Sequence, residues 1–406
     1  MNKLSILFVI NSLEIGGAET FLLRLIKELK QSFQIHPYLL VLLPEKNDPT
    51  FANFFLKETN VQLIPKYKNP KGVTDSLFWK LNGLYNRIAK KTFYENLLQK
   101  QENKYYLNIL TKKYKIDLIN SHLLSSDIFA VKHIKPIIQK PLVITNQGCY
   151  NDYNNQNTII EIIKNIDGIT YVAEKNLTSF YNTQVPITKN RMLIYNGLAY
   201  PQNIELKKRE SLGLSKNDFI IGQVSRSIET KGLEISIRAI ILLVEGKQNS
   251  NIKLILAGPE NEYYNYLKEK YKKYIYIYFV GQTMQPLEWI GMFDVGILPT
   301  SFPGESCPSS IIEYLALGKP VISTNIGEIP NMIKSGNDLC GIIVSEQDEQ
   351  HNLDFTAFSE AILKYYKDKE LLKNHSTIAL KAFEKFSIIK TAESYMQIYN
   401  NALMNK

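Results

Sequence analysis

From residue 4 to residue 344, short apolar runs rich in β-branched residues alternate with stretches of helical period, and that alternation leaves few folds open. It is the pattern of βαβ units feeding parallel sheets. Strands are expected at 4–10, 38–43, 61–64, 117–120, 142–145, 169–172 and 192–195, and again at 219–225, 252–257, 276–280, 294–298, 320–323 and 341–344. Between the two sets lies Gly197 to Leu214, polar, proline-containing and without either periodicity, which reads as a linker. A chain of 406 residues has room for two such sheets, each with its own core. The expectation is an α/β chain of two doubly wound domains, 1–198 and 199–387, with a last helix, about 388–406, crossing back onto the first. Two such halves would meet across a cleft lined by strand carboxyl ends and helix N-termini.

Composition narrows the function classes. Hydrophobic residues make up 45% and charged residues 21%, which excludes a disordered or fibrous chain. Cys149, Cys307 and Cys340 are odd in number and scattered, against both a disulfide framework and a structural zinc site, and point to a reducing cytoplasm. The first apolar run, Leu4 to Ile10, ends at Asn11 and lacks a signal's long apolar region. No run approaches the roughly 18 to 20 apolar residues that cross a bilayer, so membrane contact is expected to be peripheral, at the inner face.

The net charge of +9 is uneven: residues 1–200 carry 25 Lys+Arg against 15 Asp+Glu, and the remainder 23 against 24. Residues 57–115 hold 13 Lys+Arg against four acids. Trp79, Leu81, Leu84, Tyr85, Ile88, Phe93, Tyr94, Leu97 and Leu98 are interleaved with them, as in an interfacial helix drawn to anionic lipid. A buried apolar stripe with a solvated basic face gives the same pattern.

Three segments carry chemistry. The first is Ser301 to Pro330, SFPGESCPSSIIEYLALGKPVISTNIGEIP: a strand, a loop, a helix from about Pro308 to Leu317, a stop at Gly318 and another strand. A helix opened by Pro308 presents free backbone N–H groups and a partial positive charge, an anion site. Glu313 lies roughly 7 to 8 Å along that helix, so Glu305 and Glu313 read as two grips on one extended ligand rather than an acid/base pair on one bond. The second is GQVSRSIETKG, Gly222 to Gly232, where Arg226 and Lys231 follow the first strand of the second domain, at the phosphate position of a doubly wound sheet. A guanidinium fork and a mobile ammonium together neutralise a diphosphate. The third is EIGGAE, Glu14 to Glu19, where Gly16 and Gly17 permit close backbone approach or simply form a tight turn. The G-x-G-x-x-G spacing is absent, which weighs against a dinucleotide oxidoreductase. No paired-Asp or His cluster has metal-ligand spacing.

GGAE after the first strand, R-x4-KG, and FPGES-x6-E with LALGKPVISTNIGEIP together resemble the family 4 glycosyltransferases, from residue 4 to about 335. The resemblance implies a retaining, metal-independent enzyme with no cofactor and with the GT-B fold, two Rossmann-like domains. It implies Glu305 at the transferred sugar, Glu313 at the nucleotide ribose, and Arg226 and Lys231 at the diphosphate. Gly16 and Gly17 would approach the donor, and the backbone amides of Ser306, Cys307, Pro308 and Ser309 would border sugar and phosphate; Pro308 itself has no N–H to give. One departure stands in VITNQGCY: the family commonly carries histidine before the glycine, and this chain has Gln147, which hydrogen-bonds but carries no charge. His122, in NSHLLSSD, is a separate acceptor- or sugar-side candidate whose alternative is a structural histidine.

The reading is a cytoplasmic hexosyltransferase-like enzyme of surface polysaccharide assembly. It moves a sugar from a UDP- or GDP-sugar to a glycan or lipid-linked acceptor, with no nucleic-acid partner. A GT-B nucleotide-sugar epimerase and a non-catalytic sugar-nucleotide binding subunit are the alternatives, the latter raised by Gln147.

Overall fold

The computed structural model describes residues 3–67, 93–148, 150, 156–202, 204–247, 250–345 and 353–404. The chain forms two compact units: Met1–Ile194 with Ala392–Lys406, and Tyr195–Thr391. The second unit begins just ahead of the stretch that the sequence offers as linker and takes in all of it. Leu198 N–H donates to Phe386 O (2.8 Å) and Ile388 N–H to Leu198 O (3.1 Å), so residues 197–198 are already held in place.

In the first unit the elements are β1 (Ser5–Ile10), α1 (Gly17–Phe33), β2 (His36–Val41), β3 (Gln62–Leu63), β4 (Leu118–His122), α2 (Leu124–Phe129), β5 (Leu142–Asn146), α3 (Gln156–Asn165), β6 (Gly168–Tyr171) and β7 (Arg191–Leu193), besides shorter turns and further helices. The strands pair in parallel in the order β3-β2-β1-β4-β5-β6-β7. Sequence order reverses between β1 and β4, where such sheets open a crevice for ligands.

β1 shows why the strands read as continuous apolar runs: both of its faces are covered. Leu7 and Val9 join one core cluster, and Ile6, Phe8 and Ile10 the other. The stripe Phe21, Leu22, Leu25, Ile26 and Leu29 of α1 packs into the second cluster, each side chain contributing about 1.5–3 kcal/mol by burial.

The second unit repeats the plan. Its elements include β8 (Phe219–Val224), α4 (Leu233–Lys247), β9 (Ile252–Ala257), β10 (Ile277–Gly281), β11 (Val295–Leu298), α5 (Ser309–Ala316), β12 (Val321–Thr324), β13 (Lys334–Ser335), β14 (Asp338–Leu339), β15 (Gly341–Val344) and α6 (Phe355–Lys367), and it ends in the first turn of α7 (Ile388–Met404). The parallel sheet runs β10-β9-β8-β11-β12-β15, with its reversal between β8 and β11. β13 and β14 form a small antiparallel pair absent from the sequence expectation, too short to show periodicity.

No helix among the described residues is long and apolar enough to cross a membrane. The centre of the basic stretch, 68–92, lies outside the described residues, together with Cys149. Its C-terminal part is helical over Phe93–Leu107, and Tyr106 is fully buried in the core.

The later turns of α7 belong to the first unit and are anchored by a buried polar chain. Tyr399 OH donates to Asn120 Oδ1 (2.8 Å), and Tyr395 OH donates to Thr145 Oγ1 (3.2 Å). Asn120 Nδ2 in turn donates to Val143 O and Thr145 Oγ1 (both 3.0 Å). Removing one hydroxyl from such a chain leaves a buried acceptor short of a donor. Tyr399→Phe should cost about 1–3 kcal/mol, and Tyr399→Ala about 3–5 kcal/mol through the added cavity. Urea unfolding checks both, and a Tyr399→Phe cost near zero would show the chain to be energetically idle.

Candidate functional site

Three neighbouring strands of the second unit deliver the charged residues. Beyond the carboxyl end of β8 come Arg226 and a 3-10 turn, Glu229–Lys231; beyond β11 come Thr300 to Glu305; beyond β12 comes Gly327. β11 pairs with both β8 and β12, so these loops are adjacent by topology and lie at the sheet's reversal point.

The loops are tied together before any side-chain chemistry is considered. Ser301 N–H donates to Thr230 O (2.8 Å) and Glu328 N–H to Ser306 O (2.9 Å). Two glycines make this approach possible. Gly232 has φ +70°, and a Cβ there would stand 2.0 Å from Pro299 O. Gly327 has φ +60°, with Glu305 O 2.3 Å from the same position. No other residue type fits either place without moving the loop it touches.

Within this frame the sequence-predicted residues converge. Lys231 Nζ forms an ion pair with Glu305 Oε2, with both side chains buried, and Thr300 Oγ1 donates to the same oxygen (3.1 Å). Burial lowers the Lys231 pKa from its ordinary value, Glu305 opposes that shift, and the Arg226 charge adds to it. The exposed Arg226 stands 5.1 Å from the Phe302 ring centroid and Lys231 5.3 Å from it, so one aromatic ring serves two cations. Gln223 fixes the turn from below: its Nε2 donates to Lys231 O (2.8 Å), while its Oε1 accepts from Ser236 (2.6 Å).

Helix α5 begins at Ser309, with Pro308 as its N-cap rather than its first helical residue. No side chain caps it and no acid lies in its first turn, so its partial positive charge is not offset locally. Glu305, Ser306 and Cys307 lie buried just ahead of it, and Glu313, its fifth residue, is buried too. Burial pushes the Cys307 thiol up to about 12, so its sulfur stays protonated.

The remaining predicted residues belong to the first unit. Gly16 is the N-cap of α1 in an extended conformation, and the buried Glu19 lays its carboxylate across it; a Cβ on Gly16 would meet Glu19 Oε2 at 2.3 Å. Gly17, exposed, is the helix's first residue. Here the glycine makes room for this chain's own glutamate.

His122, an acceptor- or sugar-side candidate with a structural histidine as the alternative, is the last residue of β4, fully buried, 6.3 Å from the Phe8 ring and 6.4 Å from the Phe21 ring. Its Nε2 meets Asn120 Oδ1 at 3.0 Å, and burial lowers its pKa to about 3, so it is a neutral core histidine. Gln147 is half-buried in the loop after β5, where Gly148 N–H donates to Asn146 Oδ1 (3.3 Å).

Phe302 and Thr300 are the contributors that sequence reasoning missed. Both lie in the loop that carries the motif, but an aromatic platform for two cations is visible only once β8 and β11 are known to be neighbours.

The comparisons with known proteins fit this architecture. A crystal structure of Anabaena Alr3699/HepE in complex with UDP and glucose superposes with a TM-score of 0.72 at 17% identity, covering 97% of this chain and 98% of that one. The fold is GT-B. Residues 205–382, which lie in the second of the two GT-B sheet units, match the family model described as Glycosyl transferases group 1. N-acetyl-alpha-D-glucosaminyl L-malate synthase of Bacillus anthracis is 24% identical over 249 residues, 59% of this chain and 61% of that protein. Lipopolysaccharide core biosynthesis mannosyltransferase LpsB of Rhizobium meliloti is 22% identical over 248 residues, 60% of this chain and 68% of that protein. The chain thus spans less than two thirds of the first of these curated relatives. Among the described residues, no group of three or more His, Cys, Asp or Glu is placed to hold a metal ion.

The buried ion pair gives this GT-B site a stability signature independent of any substrate. Lys231→Met strands Glu305 without its cation and should cost about 3–5 kcal/mol, whereas adding Glu305→Gln should restore most of the loss. Thermal or urea unfolding of the two variants decides it. A single-variant loss within about 0.5 kcal/mol, the range of an ordinary surface change, would show that the pair does not hold the loops.

Proposed function

We propose that this chain is a retaining glycosyltransferase of the family 4 type, transferring a hexose from a UDP- or GDP-sugar to a glycan or lipid-linked acceptor in cell-surface polysaccharide assembly. One observation carries the reading: at the reversal point of the second sheet, Arg226 and Lys231 share the Phe302 ring, and Lys231 is paired with Glu305 just ahead of an uncapped helix. The relatives named for N-acetylglucosaminyl and mannosyl chemistry, and the neighbour solved with UDP and glucose, support a nucleotide-sugar donor.

In this reading the residues divide the donor between them. Arg226 gives the diphosphate a bidentate fork, and Lys231 a second cation held in place by its carboxylate partner. The backbone amides at the start of α5 add oriented dipoles. As the bond to the sugar breaks, negative charge gathers on the departing nucleoside diphosphate, so these fixed groups favour the transition state over the bound donor. Glu305, beside Lys231, reaches the transferred sugar; Glu313, farther along α5, grips the ribose. From the first unit, the resemblance adds Gly16 and Gly17 for the donor and Gln147 for the sugar or acceptor. The donor needs no cofactor in this scheme, since arginine, lysine and helix supply the positive charge.

Arg226→Ala should lower kcat on the order of 10²-fold or more with the fold intact, the scale of one lost electrostatic contact to the transition state. Glu305→Gln should act mainly on kcat and Glu313→Gln mainly on the donor KM. Steady-state assays over a panel of nucleotide sugars, with product analysis, make the test. Arg226→Ala turnover equal to wild type defeats the diphosphate assignment, and donor binding without transfer to any acceptor returns the chain to a binding subunit.

The acceptor side extends the proposal to peripheral contact with an anionic membrane through the basic stretch 57–115. Attraction of about 1 kcal/mol per lysine or arginine near the surface makes such contact salt-sensitive. Flotation with anionic vesicles at low and high salt is the check. Active protein that stays unbound at low salt would leave a soluble acceptor as the better reading.

A further inference from the structure

The first unit holds a buried acid with no part in the donor chemistry above. Asp127 lies in α2, five residues beyond the last residue of β4, at the sheet's reversal point between β1 and β4. It is wholly buried. Ser121 Oγ, from β4, donates to its Oδ1; Tyr150 OH, from the loop after β5, donates to its Oδ2 at 2.5 Å. Next to it, Ser126 Oγ donates to Asn11 Oδ1 (2.8 Å), tying α2 to the end of β1. One short helix is therefore stitched to the carboxyl ends of β1, β4 and β5.

Both donors to the carboxylate are neutral hydroxyls. No ion pair reaches Asp127 among the described residues; on neighbouring helices Lys132 pairs with Glu161 (3.5 Å) instead. His122, on the same strand, stays neutral, and burial with the Asp127 charge beside it holds the Tyr150 phenol protonated. A buried carboxylate without a cation is costly, and an apolar side chain would fill the place more cheaply. What the carboxylate does uniquely here is hold Tyr150, a buried ring 5.7 Å from Phe180 and three residues beyond Gln147.

We infer that Asp127 is a positioning residue for the proposed reaction, acting on Gln147 through its hold on Tyr150, three residues farther along the chain. The inference rests on the glycosyltransferase reading, and it assigns a role to a residue that touches neither donor nor acceptor. A clamp of this kind acts on rate, because misplacing a substrate-side group by about 1 Å costs on the order of 10²-fold.

The clamp is also sensitive to pH. Burial raises the Asp127 pKa from 3.8 to about 7, opposed by the Ser121 and Tyr150 hydrogen bonds. The ionised form accepts from both hydroxyls; protonation removes one acceptor position and loosens Tyr150. Since the folded pKa lies above the unfolded one, the acid favours folding at low pH, and that contribution is lost as pH rises from about 4 through about 7.

Four variants test this. Tyr150→Phe, which removes one hydroxyl and keeps the ring, and Asp127→Ala should each lower kcat about 10- to 100-fold with the donor KM nearly unchanged. Ser121→Ala should do less. Asp127→Asn, the neutral analogue of the protonated acid, offers one acceptor and one donor, so it should keep kcat near the low-pH level of wild type and lose the rise near pH 7. Relative to wild type, Asp127→Asn should also gain stability as pH rises from 4 to 8, a readout that needs no substrate. Wild-type kcat in folded Tyr150→Phe overturns the positioning role, as does a kcat rise near pH 7 that persists in Asp127→Asn. A wild-type chain that transfers no sugar from any donor sinks the glycosyltransferase reading instead, and unfolding across the pH range still reports on the buried acid.

Discussion

The buried pair of Lys231 and Glu305 is the constraint on which the second unit's loops depend. An ammonium and a carboxylate taken out of water are tolerable only when each meets the other in good geometry. The two residues are 74 positions apart, so their meeting requires that β8 and β11 be neighbours, that Gly232 clear Pro299, and that Gly327 bring the loop after β12 against Glu305. A shift of any of these strands would leave a charge stranded. Loop placement is thus over-determined by backbone contacts, by the pair itself and by the Phe302 ring beside two cations.

Much of the fold was legible because both sheets are covered on both faces. A strand such as β1, with Ile6 to Ile10 wholly buried, can only be written as an unbroken apolar run, and such runs stand out between amphipathic helices. The β13–β14 pair was not legible, since two residues per strand carry no period. Nor was the hold on residues 197–198, which depends on backbone bonds to Phe386 and Ile388 almost two hundred positions away. Polar composition marks a segment as irregular without saying whether it is anchored.

The site divides along the same line. Arg226, Lys231, Glu305 and Glu313 sit on turn and helix signals that fix their place relative to a strand end, and the structure gathers them at adjacent strand ends of one sheet. His122 stayed open between two readings because a histidine at the end of a strand looks the same in sequence whether it faces solvent or two phenylalanines. Gly16 shows a subtler ambiguity. A glycine pair ahead of a helix signals that something must come close, and the something in contact is the carboxylate of Glu19 from the same helix turn.

That last point bears on how charge is arranged in the proposed reaction. Lys231 carries its own counter-charge, so the cluster of Arg226, Lys231 and Glu305 has a net charge near +1 rather than +2. A bound diphosphate, already anionic, then gains only moderate attraction in the ground state. The added charge that appears when the glycosidic bond breaks meets the Arg226 guanidinium together with an ammonium and an unneutralised helix start that are already in place. Attraction that grows with bond cleavage lowers the barrier, whereas attraction equal in both states would only tighten donor binding. Glu305 therefore serves the chemistry twice over in this scheme: it holds the ammonium in place and it keeps the resting site from binding the donor too well.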